Sequence, residues 1–137
     1  MAEIITPPNV DTYLRQLYDD GDPIRTEMEA MAREHGFPII GPLCGRFLYQ
    51  IARIAGAKRV FELGSGYGYS ALFFSRAVGE DGQVHCTELS DQNIQQARDF
   101  LGRAKLWDRV TYHQEEATAA LRRIASAWPE TPRLPCR

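Results

Sequence analysis

The sequence predicts an α/β protein in which helices precede a partial parallel sheet with the strand order 3-2-1. Three observations carry this prediction. After residue 57, short apolar runs alternate with helical segments, as in parallel strands joined by helical crossovers. Before it, apolar residues recur at the spacing of one helix face. A glycine-rich loop directly follows the first apolar run, where doubly wound sheets place a ligand loop.

The first 56 residues are expected to form a helical segment. The second of its helices carries the clearest signals, because Asp22 is suited to cap it, Pro23 to its first turn and Gly36 to its exit. Its methionines repeat at helical spacing and are interpreted as packing residues. The expected bounds of the three helices are about 9–19, 23–35 and 43–55.

Residues 57–127 are expected to form an α/β half-domain. Its predicted strands are 59–63, 83–89 and 109–113, and its predicted helices are 69–78, 91–105 and 118–127. The tail 128–137, "WPETPRLPCR", has no periodicity. Only the 3-2-1 half of a doubly wound sheet can be assigned, which leaves the first strand as an open edge that isolated domains usually avoid. We therefore expect a chain truncated or frameshifted relative to a longer protein.

Composition and charge exclude several classes of partner. The 137 residues carry a net charge of −2 with basic residues scattered along the chain, which argues against binding to nucleic acid. No basic leader or long apolar run suggests export or a membrane span. Three cysteines at wide spacings, Cys44, Cys86 and Cys136, predict neither a disulfide framework nor a zinc clip. A reducing cytoplasmic location is the expectation.

The stretch "VFELGSGYGYSALFF" holds Gly64, Gly66 and Gly68 directly after the first strand. Such a loop lets backbone N–H groups and a helix N-terminus approach a ligand. A phosphate-binding P-loop would need Lys followed by Ser or Thr, but Tyr69 and Ser70 stand here. A dinucleotide loop needs a small residue where Tyr69 stands, so that alternative is weakened as well.

Acidic residues stand at the ends of all three predicted strands. Glu62 lies beside the loop and suits a cationic amino group, and Glu88 stands where a carboxylate can accept hydrogen bonds from ribose hydroxyls. Glu115 and Glu116 follow the third strand, and either serve an exocyclic amine or form a solvated helix start. A ligand with a ribose and an amine but no phosphate fits this set, and S-adenosylmethionine is such a ligand.

At these residues the sequence resembles the S-adenosylmethionine-dependent O-methyltransferases of the catechol O-methyltransferase-like family. The resemblance runs from about Glu27 to Leu121, through "PIIGPLCGRFLYQIARIAGAKRV", "ELGSGYGYSA", "EDGQVHCTEL" and "DRVTYHQEEA". The "GYSA" element is the more diagnostic, because "ELGSG" alone is shared by many methyltransferases. The resemblance implies a Rossmann-like class I methyltransferase fold.

The resemblance also implies roles for individual residues. It places Gly64 and Gly66 against the methionine part of the cofactor, with Gly41 and Ser70 near its carboxylate. Glu88 corresponds to the ribose-binding acid and Glu116 to the acid near the adenine. Glu115 replaces a glycine of the family pattern, and the acid expected after Pro42 is absent.

The function implied is methyl transfer to a hydroxyl of a small aromatic acceptor. The resemblance also implies a divalent metal such as Mg²⁺, whose ligands come from the fourth strand and beyond and have no counterpart in this chain. His35, His85 and His113 lie on separate elements without metal-ligand spacing. No catalytic residue is assigned, and a homodimer is left open. The alternatives are a non-catalytic cofactor-binding remnant or assembly module and, more weakly, a fragment of a nicotinamide-dependent oxidoreductase.

Overall fold

The computed structural model describes residues 7–18 and 20–128. Its elements in chain order are α1 (Pro8–Leu17), α2 (Pro23–His35), α3 (Gly41–Ile54), β1 (Arg59–Glu62), α4 (Tyr69–Val78), β2 (Gln83–Thr87), α5 (Asp91–Arg103), β3 (Val110–His113) and α6 (Ala117–Ala127). A 3₁₀ turn at Trp107–Arg109 leads into β3. The predicted end of the first helix at Asp19, and tail residues 129–137, lie outside the described residues.

The three strands form one parallel sheet in the order β1-β2-β3, which confirms the predicted 3-2-1 arrangement. Glu62 at the end of β1 is in register with Cys86, and Thr87 at the end of β2 is in register with His113. The acidic residues predicted at strand ends therefore follow neighbouring strands at one edge of the sheet. Within the described residues, β1 pairs with β2 alone.

The strands are shorter than predicted, because local turns end them. β1 ends at Glu62 rather than Leu63, since the chain turns at Gly64 with φ +77°. β2 ends at Thr87 rather than Leu89, and there the Glu88 side chain binds the backbone of the following turn. At β3, Arg109 belongs to the preceding 3₁₀ turn and the strand begins at Val110.

The helix termini follow the local signals closely. Asp22 caps α2 by accepting from the backbone N–H groups of Ile24 and Arg25, and Gly36 closes the helix in the left-handed conformation, as predicted. α5 ends at Arg103, before the predicted Lys105, which has φ +58°. α6 begins at Ala117, one residue earlier than predicted, because Glu116 caps it.

The core lies between the sheet and the helices α2, α4 and α5. Met28, Leu72, Val84 and Leu101 are fully buried there, which confirms the packing role expected for Met28. α3 packs across α4, with the Phe73 ring against Gly45. No helix within the described residues is long and apolar enough to cross a membrane.

One side of α3 remains exposed. Phe47, Ile51 and Ile54 recur at helical spacing, as the sequence indicates, but they are 58%, 48% and 83% exposed. The buried residues of α3 are instead Pro42, Gly45 and Ala52. The helix therefore uses its small residues for close packing and presents large apolar side chains outward.

Candidate functional site

A cleft of 410 Å³ lies at the C-terminal ends of β1 and β2. Ligands of open α/β sheets bind at this edge. The glycine loop forms one side of the cleft, and the connection between α2 and α3 forms another. The lining residues are Phe37, Pro38, Ile39, Ile40, Leu48, Glu62, Leu63, Gly64, Ser65, Gly66, Tyr67, Tyr69, Ser70 and Glu88.

The loop between β1 and α4 requires glycine at two of the cleft positions. Gly64 has φ +77°, and a Cβ built on it would meet no atom within 4 Å, so its open side is the cleft that it lines. Gly66 has φ +52°, and its Cβ would lie 2.7 Å from the Phe37 ring. Gly64 therefore leaves room for a ligand, whereas Gly66 lets the α2–α3 connection pack on the loop.

Glu62 places a carboxylate in the cleft wall. One oxygen accepts a hydrogen bond from the Ser70 hydroxyl, and the other accepts from the Cys86 thiol at 3.7 Å. Burial raises the pKa of the Glu62 carboxyl above its ordinary value of 4.5, although the hydrogen bonds oppose the shift. Because no cation within the described residues pairs with this carboxylate, an amino group of a ligand would stabilise its charged form.

Glu88 is half-buried at the other end of the cleft. Its Oε1 accepts from the backbone N–H groups of Leu89 and Ser90, both at 2.8 Å, which fixes the side chain against the turn. Within the described part of the chain no hydrogen bond occupies Oε2. This oxygen is therefore the one that could accept from hydroxyl groups of a ligand.

The N-terminus of α4 adjoins the cleft. Ser70 is the second residue of this helix, and the first turn has backbone N–H groups without intrahelical partners. Such a helix end favours an anionic group. The Ser70 hydroxyl donates its hydrogen to Glu62, so it would have to reorient in order to donate to a ligand carboxylate.

Two residues that the sequence analysis did not single out hold the glycine loop. The Thr87 hydroxyl accepts from the Gly64 N–H at 2.9 Å and donates to the Glu62 carbonyl at 3.0 Å. The Tyr112 hydroxyl donates to the Gly66 carbonyl at 3.2 Å. Thr87 directly precedes Glu88, and that position at a strand end was the only local signal for it.

Three of the predicted cofactor-binding residues lie outside the cleft lining. Gly41 begins α3 and lines a neighbouring hollow behind Phe37. Gly68 precedes α4 and faces α5 and Tyr112. Glu116 caps α6 by accepting from the backbone of Thr118 and Ala119, which is the solvated helix start weighed in the sequence analysis. Cofactor contacts of these three residues stay predictions.

No metal site is evident in the described residues. No group of three or more His, Cys, Asp or Glu side chains there could hold a metal ion. His85 and His113 stack on each other away from the cleft, with ring centroids 5.3 Å apart. The residues described do not fit the divalent metal that the resemblance implies, and no chemical step is assigned to one.

The chemistry of the cleft favours a cationic or hydroxyl-rich ligand over a phosphate. Its described lining has two carboxylates and no Lys, Arg or His. The aromatic rings of Phe37 and Tyr67, with centroids 4.7 Å apart, supply apolar surface beside these polar groups. The buried Ser65 hydroxyl lies near Glu62 but has no hydrogen bond of ordinary geometry among the described residues. A ligand with an amine, hydroxyls and an apolar part matches these walls.

Comparison with known proteins places the chain among methyltransferases. A family model for O-methyltransferases matches residues 24–131. A catechol O-methyltransferase from Mycobacterium tuberculosis is 32% identical over 106 residues, which cover 76% of this chain and 48% of that protein. The chain spans about half the length of the curated relatives it matches.

Solved structures agree with the sequence comparison. A methyltransferase from Geobacter sulfurreducens superimposes with a TM-score of 0.78 at 30% identity, covering 84% of this chain and 60% of that one. An O-methyltransferase from Bacillus cereus, solved in complex with SAH, has a TM-score of 0.78 at 28% identity and covers 89% and 56%. The predicted class I methyltransferase fold is therefore confirmed.

Proposed function

Since this chain belongs to the O-methyltransferase family, we propose that its cleft binds S-adenosylmethionine for methyl transfer to a hydroxyl of a small aromatic acceptor. The observation that carries the proposal is the convergence of Glu62, Ser70 and Glu88 on one cleft beside the glycine loop. The SAH bound to the Bacillus cereus relative supports the choice of cofactor.

The residues present fit the amino, carboxylate and ribose hydroxyl groups of the cofactor. The Glu62 carboxylate suits the amino group, and the Glu88 Oε2 suits the ribose hydroxyls. The N-terminus of α4, with Ser70, suits the carboxylate. Gly64 leaves open space on the side where a side chain would otherwise intrude.

Methyl transfer depends on alignment. When bound, S-adenosylmethionine supplies a methyl group on a sulfonium sulfur for in-line displacement by the acceptor oxygen. Glu62 and Glu88 would fix the cofactor at two points on adjacent strand ends, while Phe37 and Tyr67 would limit the access of water. The likeness to a catechol O-methyltransferase supports a small aromatic acceptor, and no residue is assigned as the base.

Calorimetry on the full chain tests cofactor choice. We expect S-adenosylhomocysteine to bind and NADH not to bind. Glu88→Ala should weaken S-adenosylhomocysteine about tenfold, since it removes an acceptor for ligand hydroxyls. Glu80→Ala is the matched control, because Glu80 is an exposed acid in the turn after α4. Binding of NADH alone would contradict the proposal.

A second candidate function is cofactor binding without methyl transfer, in an assembly module whose helices dock on a partner. The exposed Phe47, Ile51 and Ile54 of α3 favour it. Methyl transfer to catechol, assayed with and without Mg²⁺, separates the two candidates. Turnover in either condition supports the enzyme, whereas S-adenosylhomocysteine binding with no turnover supports the module.

A further inference from the structure

We propose that Thr87 and Tyr112 are positioning residues for the cofactor: they hold the glycine loop in its binding shape without lining the cleft. The inference rests on the proposed function, since it concerns how the same site binds S-adenosylmethionine. Both residues belong to strands other than the one that leads into the loop. They therefore tie the loop to the rest of the sheet.

Thr87 holds the first half of the loop, because its hydroxyl group both donates and accepts a hydrogen bond there. It is 1% exposed, and its hydroxyl donates to the Glu62 carbonyl while accepting from the Gly64 N–H. A hydroxyl has one hydrogen to donate, so the two hydrogen bonds give it a single orientation. The backbone on either side of Leu63 is thereby bound to one atom of β2.

Tyr112 holds the second half of the loop. Its hydroxyl donates to the Gly66 carbonyl, and its ring stacks on Trp107 with the planes 13° apart. Burial raises the pKa of the Tyr112 phenol above its ordinary value of 10.0, so the phenol remains a donor. The Gly64 N–H and Gly66 carbonyl are thus turned toward residues outside the cleft, which leaves the open side of Gly64 facing the ligand space.

Through these hydrogen bonds, the hydroxyl groups of Thr87 and Tyr112 affect cofactor binding without contacting the cofactor. The loop carries three glycines with positive φ, and glycine has the most backbone freedom to lose on ordering. Without the hydrogen bonds, the cofactor would have to order the loop as it binds. Preorganisation of this kind appears in the affinity for the ligand.

The test compares Thr87→Val, which keeps the shape of the side chain, with Thr87→Ser, which keeps the hydroxyl. In Thr87→Val we expect S-adenosylhomocysteine to bind about tenfold more weakly and the Gly64 amide to exchange its hydrogen faster by NMR. Thr87→Ser should restore both. The matched control is Ser75→Ala, because the buried Ser75 hydroxyl has no hydrogen bond within the described residues.

Tyr112→Phe is a second variant that removes only a hydroxyl group. It tests the same proposal if Thr87→Val does not fold. It should weaken S-adenosylhomocysteine several-fold, about as the loss of one hydrogen bond does, and change the Gly66 carbonyl chemical shift. Wild-type affinity in either folded variant would overturn the inference. Failure of the wild-type chain to bind S-adenosylhomocysteine would instead overturn the proposed function. Even in that case, an unchanged Gly64 amide exchange rate in Thr87→Val would contradict the proposed role of the Thr87 hydroxyl in holding the loop.

Discussion

Gly64 and Gly66 share a backbone conformation but face different surroundings. Both have positive φ, which costs about 1 kcal/mol or more for a residue with a Cβ. At Gly64 the space for a side chain is open, whereas at Gly66 it is filled by the Phe37 ring. The same substitution therefore has different consequences at the two positions.

Alanine substitutions at these glycines should separate binding from stability. Gly64→Ala should lower the free energy of unfolding by about 1 kcal/mol from backbone strain and weaken S-adenosylhomocysteine at least about tenfold, since its methyl group enters the ligand space. Gly66→Ala should destabilise the chain more, by about 2 to 4 kcal/mol, because overpacking against Phe37 is added. Urea unfolding and calorimetry measure the two effects.

An exposed glycine with positive φ outside the cleft provides the control. Gly56, which follows α3, has φ +60° and open space around its would-be Cβ. Gly56→Ala should reproduce the strain of Gly64→Ala without the loss of affinity. Equal affinity in Gly64→Ala and Gly56→Ala would show that Gly64 does not face the ligand.

Among the elements, α2 shows how the N-terminal helices support the cleft. The Tyr69 hydroxyl, on the first residue of α4, donates to Glu29 at 2.7 Å, and the buried Arg25 also binds Glu29 at 2.7 Å. Asp22, which caps α2, forms an ion pair with Arg76 of α4 at 2.6 Å. α2 therefore contacts α4 near both ends of that helix.

Asp22→Ala should destabilise the protein through the start of α2. It removes the acceptor for the Ile24 and Arg25 N–H groups, and loss of such a cap costs about 1 to 2 kcal/mol. Urea denaturation followed by circular dichroism measures the change. Asp22→Asn separates the two roles, because asparagine can still cap the helix but has no charge for Arg76. If the two variants were equally destabilised, the ion pair rather than the cap would be the source.

At the scale of the whole molecule, a cluster connects the sheet to α6 and consists of His85, His113, Arg123 and Trp128. Arg123 donates to Nδ1 of His113 at 3.1 Å, which leaves Nε2 of His113 to donate to Nδ1 of His85, also at 3.1 Å. Trp128 contacts His85 edge-on. Because this chain of hydrogen bonds needs both imidazoles to be neutral, it depends on pH.

Stability should therefore fall as pH decreases below about 6.5. Burial and the nearby charge of Arg123 both lower the pKa of His85 below its ordinary value of 6.5. Burial lowers the pKa of His113 as well, and the neighbouring His85 and Arg123 lower it further. In that window the unfolded chain binds more protons than the folded chain, so acid favours unfolding. Urea unfolding at about pH 7.5 and about pH 5.5 should show less of this loss in the double variant H85Q/H113Q.

Two further variants make the pH test specific. Glu62 acts in the opposite direction, because its raised pKa means that the folded chain gains stability as pH falls through that value. The comparison is therefore repeated with Glu62→Gln as the background. His35→Gln, at an exposed site on α2, is the matched control, because it removes an imidazole that lies outside the cluster. An unchanged pH dependence in H85Q/H113Q would contradict the role assigned to the cluster.

Much of the fold was predictable because apolar periodicity and cap residues, which are local features of the sequence, determine it. Helical spacing before residue 57, and the alternation of apolar runs and helical segments after it, predicted the nine α-helices and β-strands of the described residues and the strand order. Asp22 and Gly36 marked the ends of α2 correctly. The glycine loop and the acids after β1 and β2 also follow from short motifs at strand ends. Glu62, Ser70 and Glu88 could be named for this reason, and the structure places all three in one cleft.

The tertiary structure alone decided which residues meet around that loop. Thr87 reaches Gly64 across 23 residues and Tyr112 reaches Gly66 across 46, and no spacing in the sequence predicts such contacts. Glu116 resembled Glu88 as an acid after a strand, yet it caps α6, because its nearest unpaired N–H groups belong to its own helix. Local sequence thus determined the elements and the ligand loop, whereas the shape and chemistry of the cleft arise from packing between elements distant in the chain.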